Sequence, residues 1–219
     1  MRISLIGTYH AERGAVTVSA LLAILERIQP EVVFAEIPPT HIGAWRDGSH
    51  GTVESLAAAR YAETHSIDVV PVDSPEPHDS FFRDWQELSR LFERTSPVYR
   101  RLVDLNTDRV CRSGFAYLNS DEGVQAWADI YQEEHEAIEY VGSPRLRDMY
   151  ARVRNWNERR DQEMLRRIHA YCAATAHRRG AFLVGAAHRK SLLEKIRDTD
   201  DDSTSCIEWD LDGSQTRPG

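Results

Sequence analysis

Two histidines stand in matching words. Gly7-Thr8-Tyr9-His10 closes the strand-like run Arg2-Ile3-Ser4-Leu5-Ile6, and Gly185-Ala186-Ala187-His188 closes Ala181-Phe182-Leu183-Val184. In each, a buried strand ends, glycine gives the backbone room to turn, and an imidazole is presented just past the strand's carboxyl end. That edge is where open α/β sheets bind their ligands. If the two runs are neighbouring parallel strands, rings far apart in sequence meet in one crevice. Glu36 directly follows the apolar run Val32-Val33-Phe34-Ala35 and belongs to the same edge. Two imidazoles and a carboxylate form a divalent-metal set that leaves positions open for water or substrate. An ion held by His10, Glu36 and His188 would bring the pKa of its water toward roughly 7, ready to attack a carbonyl. The plainer reading is structural: strand-end histidines hydrogen-bonded into the fold, and a glutamate capping a turn.

Three further charged residues could serve such a site. Glu54 lies near the start of the next helix, where it could favour the helix dipole or point back toward Glu36; with a raised pKa it would act as proton shuttle. Asp73 ends the third strand, though an aspartate before Ser-Pro is also an ordinary turn former, and it ranks behind Glu36. Arg160, in the string Asn157-Glu158-Arg159-Arg160-Asp161, could hold a substrate carboxylate or a developing oxyanion with its fork of donors. The same string also reads as a solvated salt-bridge face. The other histidines, at 41, 50, 65, 78, 135, 169 and 177, follow no ligand spacing such as HExxH, and His41 alone lies near the proposed edge.

The elements that must position these groups alternate. Val18, Leu21, Leu22, Leu25 and Ile28 have helical spacing up to Gln29-Pro30, Val32 to Ala35 is a strand stopped by Pro38-Pro39, a second helix runs from Glu54 to Ala62, and Ile67 to Asp73 is a third strand. Right-handed crossovers make this βαβαβ unit parallel. Residues 78–150 read as a helical insertion, with Phe81, Phe82, Trp85, Leu88 and Phe92 on one apolar stripe and Trp127, Ile130, Tyr131 and Ile138 on another; these aromatics read as packing surface. A helix from about Arg145, with a break near Trp156, is expected to stop at Gly180. A short helix at Leu192, Leu193 and Ile196, a solvated acidic loop at 198–202 and an edge strand at Cys206-Ile207-Glu208-Trp209 complete a C-terminal βαβ unit. The expected fold class is therefore α/β, a mostly parallel central sheet flanked by helices, one domain over residues 1–212 with a disordered tail at 213–219.

Bulk properties narrow the partners. A chain of 219 residues can bury a core without disulfides, and its net charge of −8 argues against a nonspecific binder of nucleic acid or anionic membrane. Three scattered cysteines without a CxxC pair fit a reducing compartment, and no apolar run approaches the roughly 20 residues of a membrane helix. Cytoplasmic location is the default expectation.

Taken in order, Leu5-Ile6-Gly7-Thr8-Tyr9-His10, Val32-Val33-Phe34-Ala35-Glu36, the Glu54 helix, Val72-Asp73, Arg160-Asp161 with Met164, and Leu183-Val184-Gly185-Ala186-Ala187-His188 resemble the TraB/Tiki superfamily. The resemblance covers residues 1–73 and 145–196 and leaves the middle of the chain aside. It implies an α/β domain whose paired GxxH histidines, acidic pair and arginine make an active site. By position these are His10 and His188, Glu36 and Glu54, and Arg160. The chain departs from many relatives in continuing Ile-Pro-Pro after Glu36 and in lacking a membrane helix. The implied function is a metal-dependent hydrolase, peptidase-like, acting on a peptide or small molecule with manganese, cobalt, zinc or iron on His10, Glu36 and His188, Glu54 as proton shuttle and Arg160 as anion clamp. Relatives resembling erythromycin esterase imply a metal-free alternative with a histidine general base, and ChaN-like relatives imply a haem or small-ligand sensor.

Overall fold

The computed structural model describes residues 1–75, 79–200 and 206–212. Five strands, β1 (Arg2–Thr8), β2 (Val32–Ala35), β3 (Asp68–Pro71), β4 (Arg179–Gly185) and β5 (Glu208–Asp210), pair in the order β3-β2-β4-β1-β5, and every pairing is parallel. The fold is α/β, as the alternation of periods indicated. β4, from near the carboxyl end of the chain, slots between β1 and β2. The Gly7↔Val184 and Ala35↔Leu183 registers therefore bring all three strand ends to one edge.

Both faces of the sheet are covered, which is why β2 and the core of β4 read as unbroken apolar runs. Alternate residues divide the core. Ile6, Val33, Ala35, Ala181 and Leu183 pack on the side of α1 (Val18–Ile28) and α3 (Val53–Ala62). On the opposite face, Leu5, Phe34, Phe182 and Val184 pack with Met164 and Ile168 of α7 (Pro144–Ala174) and Leu192 and Ile196 of α8 (Arg189–Asp200). The helices start where side chains satisfy their first amide groups: Thr17 Oγ1 accepts from Ala20 N at 3.1 Å and Thr52 Oγ1 from Ser55 N at 3.3 Å. Such caps are worth about 1 kcal/mol each. A five-residue helix, α2 (Ile42–Arg46), follows β2.

The middle of the chain forms α4 (Asp79–Thr95), α5 (Pro97–Leu118) and α6 (Asp121–Val141), which with the start of α7 close over a core of their own around Leu88, Phe92, Ile138, Met149 and Val153. α5 kinks at Gly114, whose φ of 54° suits glycine; a Cβ there would come within 2.8 Å of the Ala15 carbonyl. The kink lets α5 dock on the loop after His10, where Ala15 N donates to Cys111 O at 2.7 Å.

Three local expectations change. α7 runs unbroken through Trp156 and ends at Ala174, so Gly180 does not stop it. Gly180 lies inside β4, where a Cβ would stand 3.2 Å from a Phe34 ring carbon and 3.3 Å from Val32; the glycine serves strand packing. β3 is shorter than the run that suggested it, and the start of the acidic stretch at 198–202 continues α8. β5 is an edge strand, as expected. Residues 201–205, the tail at 213–219 and His78 lie outside the described residues. No helix among the described residues is long and apolar enough to cross a membrane.

Candidate functional site

The carboxyl ends of β1, β2 and β4 deliver His10, Glu36 and His188 to one edge of the sheet. The turn after β1 is held from the helical layer: Gly7 N donates to Asn119 Oδ1 at 2.7 Å, and Asn119 Nδ2 donates back to Gly7 O at 3.1 Å. After β4, a single helical turn (Ala186–His188) swings the second histidine in, and the next residue, Arg189, is buried with Nη1 donating to Leu5 O at 3.0 Å. Gly185 is needed for space. A Cβ there would stand 3.3 Å from both Glu36 Oε2 and His10 Nε2, so the glycine leaves room for both atoms beside the end of β4.

Each histidine has its Nδ1 fixed by a carboxylate from a helix. His10 Nδ1 lies 2.9 Å from Glu54 Oε1 in the first turn of α3, and the Thr8 hydroxyl donates to the same oxygen. Glu54 Oε2 is buried and has no partner among the described residues. His188 Nδ1 lies 2.6 Å from Asp161 Oδ1 of α7, and its Nε2 lies 3.3 Å from Glu36 Oε1. Glu36 links the two halves: Gly185 N donates to its Oε2 at 2.6 Å and Arg160 Nη2 to its Oε1 at 2.6 Å. Arg160 also grips Asp73, through Nε at 2.9 Å and Nη2 at 2.7 Å. Among the described residues its Nη1 approaches only His188 Nε2, at 3.5 Å; two cationic donors form no bond, so this arm stays available to a ligand.

Electrostatics separate the two rings. The hydrogen bond to Glu54 raises the pKa of His10 to about 8, against the opposing effect of burial, with the charges of Glu54 and Glu36 adding to the rise. Burial works harder against the charged form of His188, yet the Glu36 charge and the Asp161 hydrogen bond outweigh it and push the ring to about 10. Glu36 is buried, but the His188 and Arg160 cations hold it well below the usual carboxylate range. Glu54 is likewise lowered despite its burial, through His10 and Thr8. The raised pKa expected of Glu54 therefore does not arise: it stays ionised and orients His10. Arg160, expected to clamp a substrate anion, spends Nε and Nη2 on the protein's own carboxylates.

His10, Glu36, Glu54, Asp73 and Arg160 line a cavity of about 430 Å³ whose walls are largely apolar, from Ile37, Trp45, Phe81 and Trp156 among others. His41 and His50, neither in a ligand pattern, also face it, with ring centroids 5.8 Å apart. Asp161 stands in the charged string of α7, which the sequence reads as a solvated face or an anion clamp at Arg160, yet it is the partner of His188 Nδ1. Its signal was its place beside Arg160 and the need of a buried histidine for a partner.

The donors His10, Glu36 and His188 are of the kind a divalent ion takes. Both oxygens of Glu36 are nonetheless engaged by Gly185, Arg160 and His188, and among the described residues no group of three His, Cys, Asp or Glu side chains stands close enough to hold an ion. As placed, the donors do not present a metal site.

Fold and site together define an α/β protein with an all-parallel sheet and a histidine–carboxylate–arginine network at its carboxyl edge. Compared with family models, curated proteins and solved structures, the chain has no match.

Proposed function

We propose that this protein is a hydrolase of carbonyl substrates, esters or amides, in which His10 is the general base. The observation that carries the reading is the disposition of the His10 ring: Nδ1 is tied to the buried Glu54 carboxylate, and the ring is more than half exposed to a cavity wide enough for a small substrate. A carboxylate that fixes tautomer and orientation is what a proton-transferring histidine requires. In this scheme neutral His10 Nε2 takes a proton from water, the water oxygen bonds to the carbonyl carbon, and the ring returns the proton to the departing alkoxide or amine. Arg160 Nη1 and the fixed charge of His188 supply positive potential near the oxygen that becomes anionic. The apolar walls favour a substrate with an apolar group beside its carbonyl. The resemblance to the TraB/Tiki superfamily and its esterase-like relatives points to the same reaction class.

A panel of aryl esters and aryl amides, assayed with the wild-type chain and His10→Gln, tests this. Hydrolysis that survives exhaustive chelation and is lost in the variant is the expected result. No hydrolysis, or hydrolysis indifferent to His10, contradicts it.

A second reading keeps a divalent ion on His10, Glu36 and His188. It is favoured by one observation: each ring has Nδ1 on a buried carboxylate, the outer support that metal-ligating histidines need. Binding would have to displace Arg160 and Gly185 from Glu36. Elemental analysis of untagged protein, and stimulation by manganese, cobalt, zinc or iron(II), decide between the readings.

A further inference from the structure

The helical layer holds a second cavity, of about 370 Å³, which shares Phe81 and Arg160 with the first and has His188 on its wall. Glu134 of α6 reaches it although the residue is only 2% exposed. Its partner is the Tyr150 hydroxyl, which donates at 3.3 Å to Oε2 and stands equally near the Tyr131 carbonyl. The neighbouring Arg154 does not pair with it; the guanidinium lies over the Tyr131 ring, 4.1 Å from its centroid. The positive charges of Arg160 and His188 are already matched by Glu36, Asp73 and Asp161. Burial pushes Glu134 up to about 7, and only the Arg154 charge and the Tyr150 hydrogen bond restrain the rise.

A buried carboxylate without an ion pair is costly, and packing does not call for it here: its near neighbours on α6, Ala137 and Ile138, sit in an apolar core. The cavity it reaches is also lined by the rings of Trp85, Tyr99 and Trp127, while the face of Tyr131 is taken by Arg154. Aromatic faces beside a single carboxylate suit a cation on an apolar body, since the rings attract positive charge and the carboxylate neutralises it. We propose that this chamber binds a free amine carried on an apolar or aromatic body, with Glu134 as its counter-charge and the surrounding rings as its walls. The proposal deepens the hydrolase reading, on which its catalytic meaning rests: the substrate would be an amine-bearing ester or amide, such as an amino-acid derivative or the first residue of a peptide.

Binding needs no turnover, so the two readings fail separately. The intact protein is titrated by calorimetry with 2-phenylethylammonium, its neutral counterpart 2-phenylethanol and the anion phenylacetate, at about pH 8, above the Glu134 midpoint near 7. The ammonium is expected to bind at least about tenfold more tightly than either, with about a tenfold loss in Glu134→Gln and a several-fold loss in Trp127→Leu. Tighter binding of phenylacetate or phenylethanol, or unchanged ammonium binding in these variants, overturns the proposal. Should Glu134→Gln fail to fold, the ranking of the three probes and the half-buried Trp127→Leu decide alone. His10→Gln is expected to bind the ammonium normally; a wild-type chain that binds it yet hydrolyses nothing contradicts the hydrolase reading alone.

Discussion

His10 and His188 end the same local word, yet the fold gives them different chemistry. The His10 side chain is 59% exposed, with one carboxylate on Nδ1 and its ring in the front cavity. The His188 side chain is 12% exposed and held between two carboxylates beside the helical chamber. One ring is placed to exchange protons near neutral pH, while the other is a fixed cation around which Glu36 and Asp161 are organised. A strand-end histidine is thus only an address. Which carboxylates reach it, and how much water remains, decides whether it reacts or supports.

The sharpest way to break this comparison is to disable each ring. His10→Gln should lower hydrolysis about 10²- to 10⁴-fold, the usual contribution of a positioned general base, with a smaller effect on folding. His188→Ala should instead destabilise the chain by about 3–5 kcal/mol in urea unfolding, because it leaves buried carboxylates without their shared cation. Equal unfolding penalties from the two variants would erase the distinction.

The pH dependence sharpens it further. As a base, His10 must be neutral, so kcat/KM should rise about tenfold per pH unit below the midpoint and level off above about 8. Stability runs the other way: with a folded pKa raised from 6.5 to about 8, the His10 contribution is complete below 6.5 and disappears as pH rises through about 8. The His188 contribution has the same sign: it too begins to fall above 6.5, but it is exhausted only as pH passes about 10. In unfolding measured from neutral to alkaline pH, stability should therefore fall continuously from about pH 6.5, more steeply up to about 8 and less steeply from there to about 10, and stability that stays flat between 6.5 and 10 would contradict both assignments.

The smallest effect concerns the glycine that brings the halves together. Gly185→Ala inserts a methyl 3.3 Å from His10 Nε2 and from Glu36 Oε2, a crowding relieved by a slight shift of either side chain. About a tenfold loss of activity with little change in stability is expected, since modest misplacement of a reacting group is enough to slow the step. Unaltered kinetics would show that the room left beside His10 and Glu36 at this position does not matter.

The residues at the ends of β1, β2 and β4 were legible because strand, glycine and polar terminus occur together in the sequence, and parallel crossovers leave few ways to arrange the strands. The pairings among them were not. Glu54 could as well have turned to Glu36 as to His10, and only the distance from α3 to the end of β1 decides it. Asp73 and Asp161 join the network through contacts to Arg160 and His188 across 87 and 27 residues, and no local pattern encodes such contacts. α7 runs through Trp156 without the break expected there, and Trp156 lines the front cavity. A lone glutamate in an amphipathic helix reads as surface, whereas Glu134 is buried at a cavity lined from α4, α5, α6 and α7.

The asymmetry of the two rings can be measured without knowing the substrate, by following the imidazole resonances of ¹⁵N-histidine-labelled protein through a pH titration, with His10→Gln and His188→Gln spectra for assignment. The account predicts that His10 titrates at about 8 and that His188 remains protonated until about 10. Two rings titrating together near 6.5, or His188 losing its proton before His10, would contradict it.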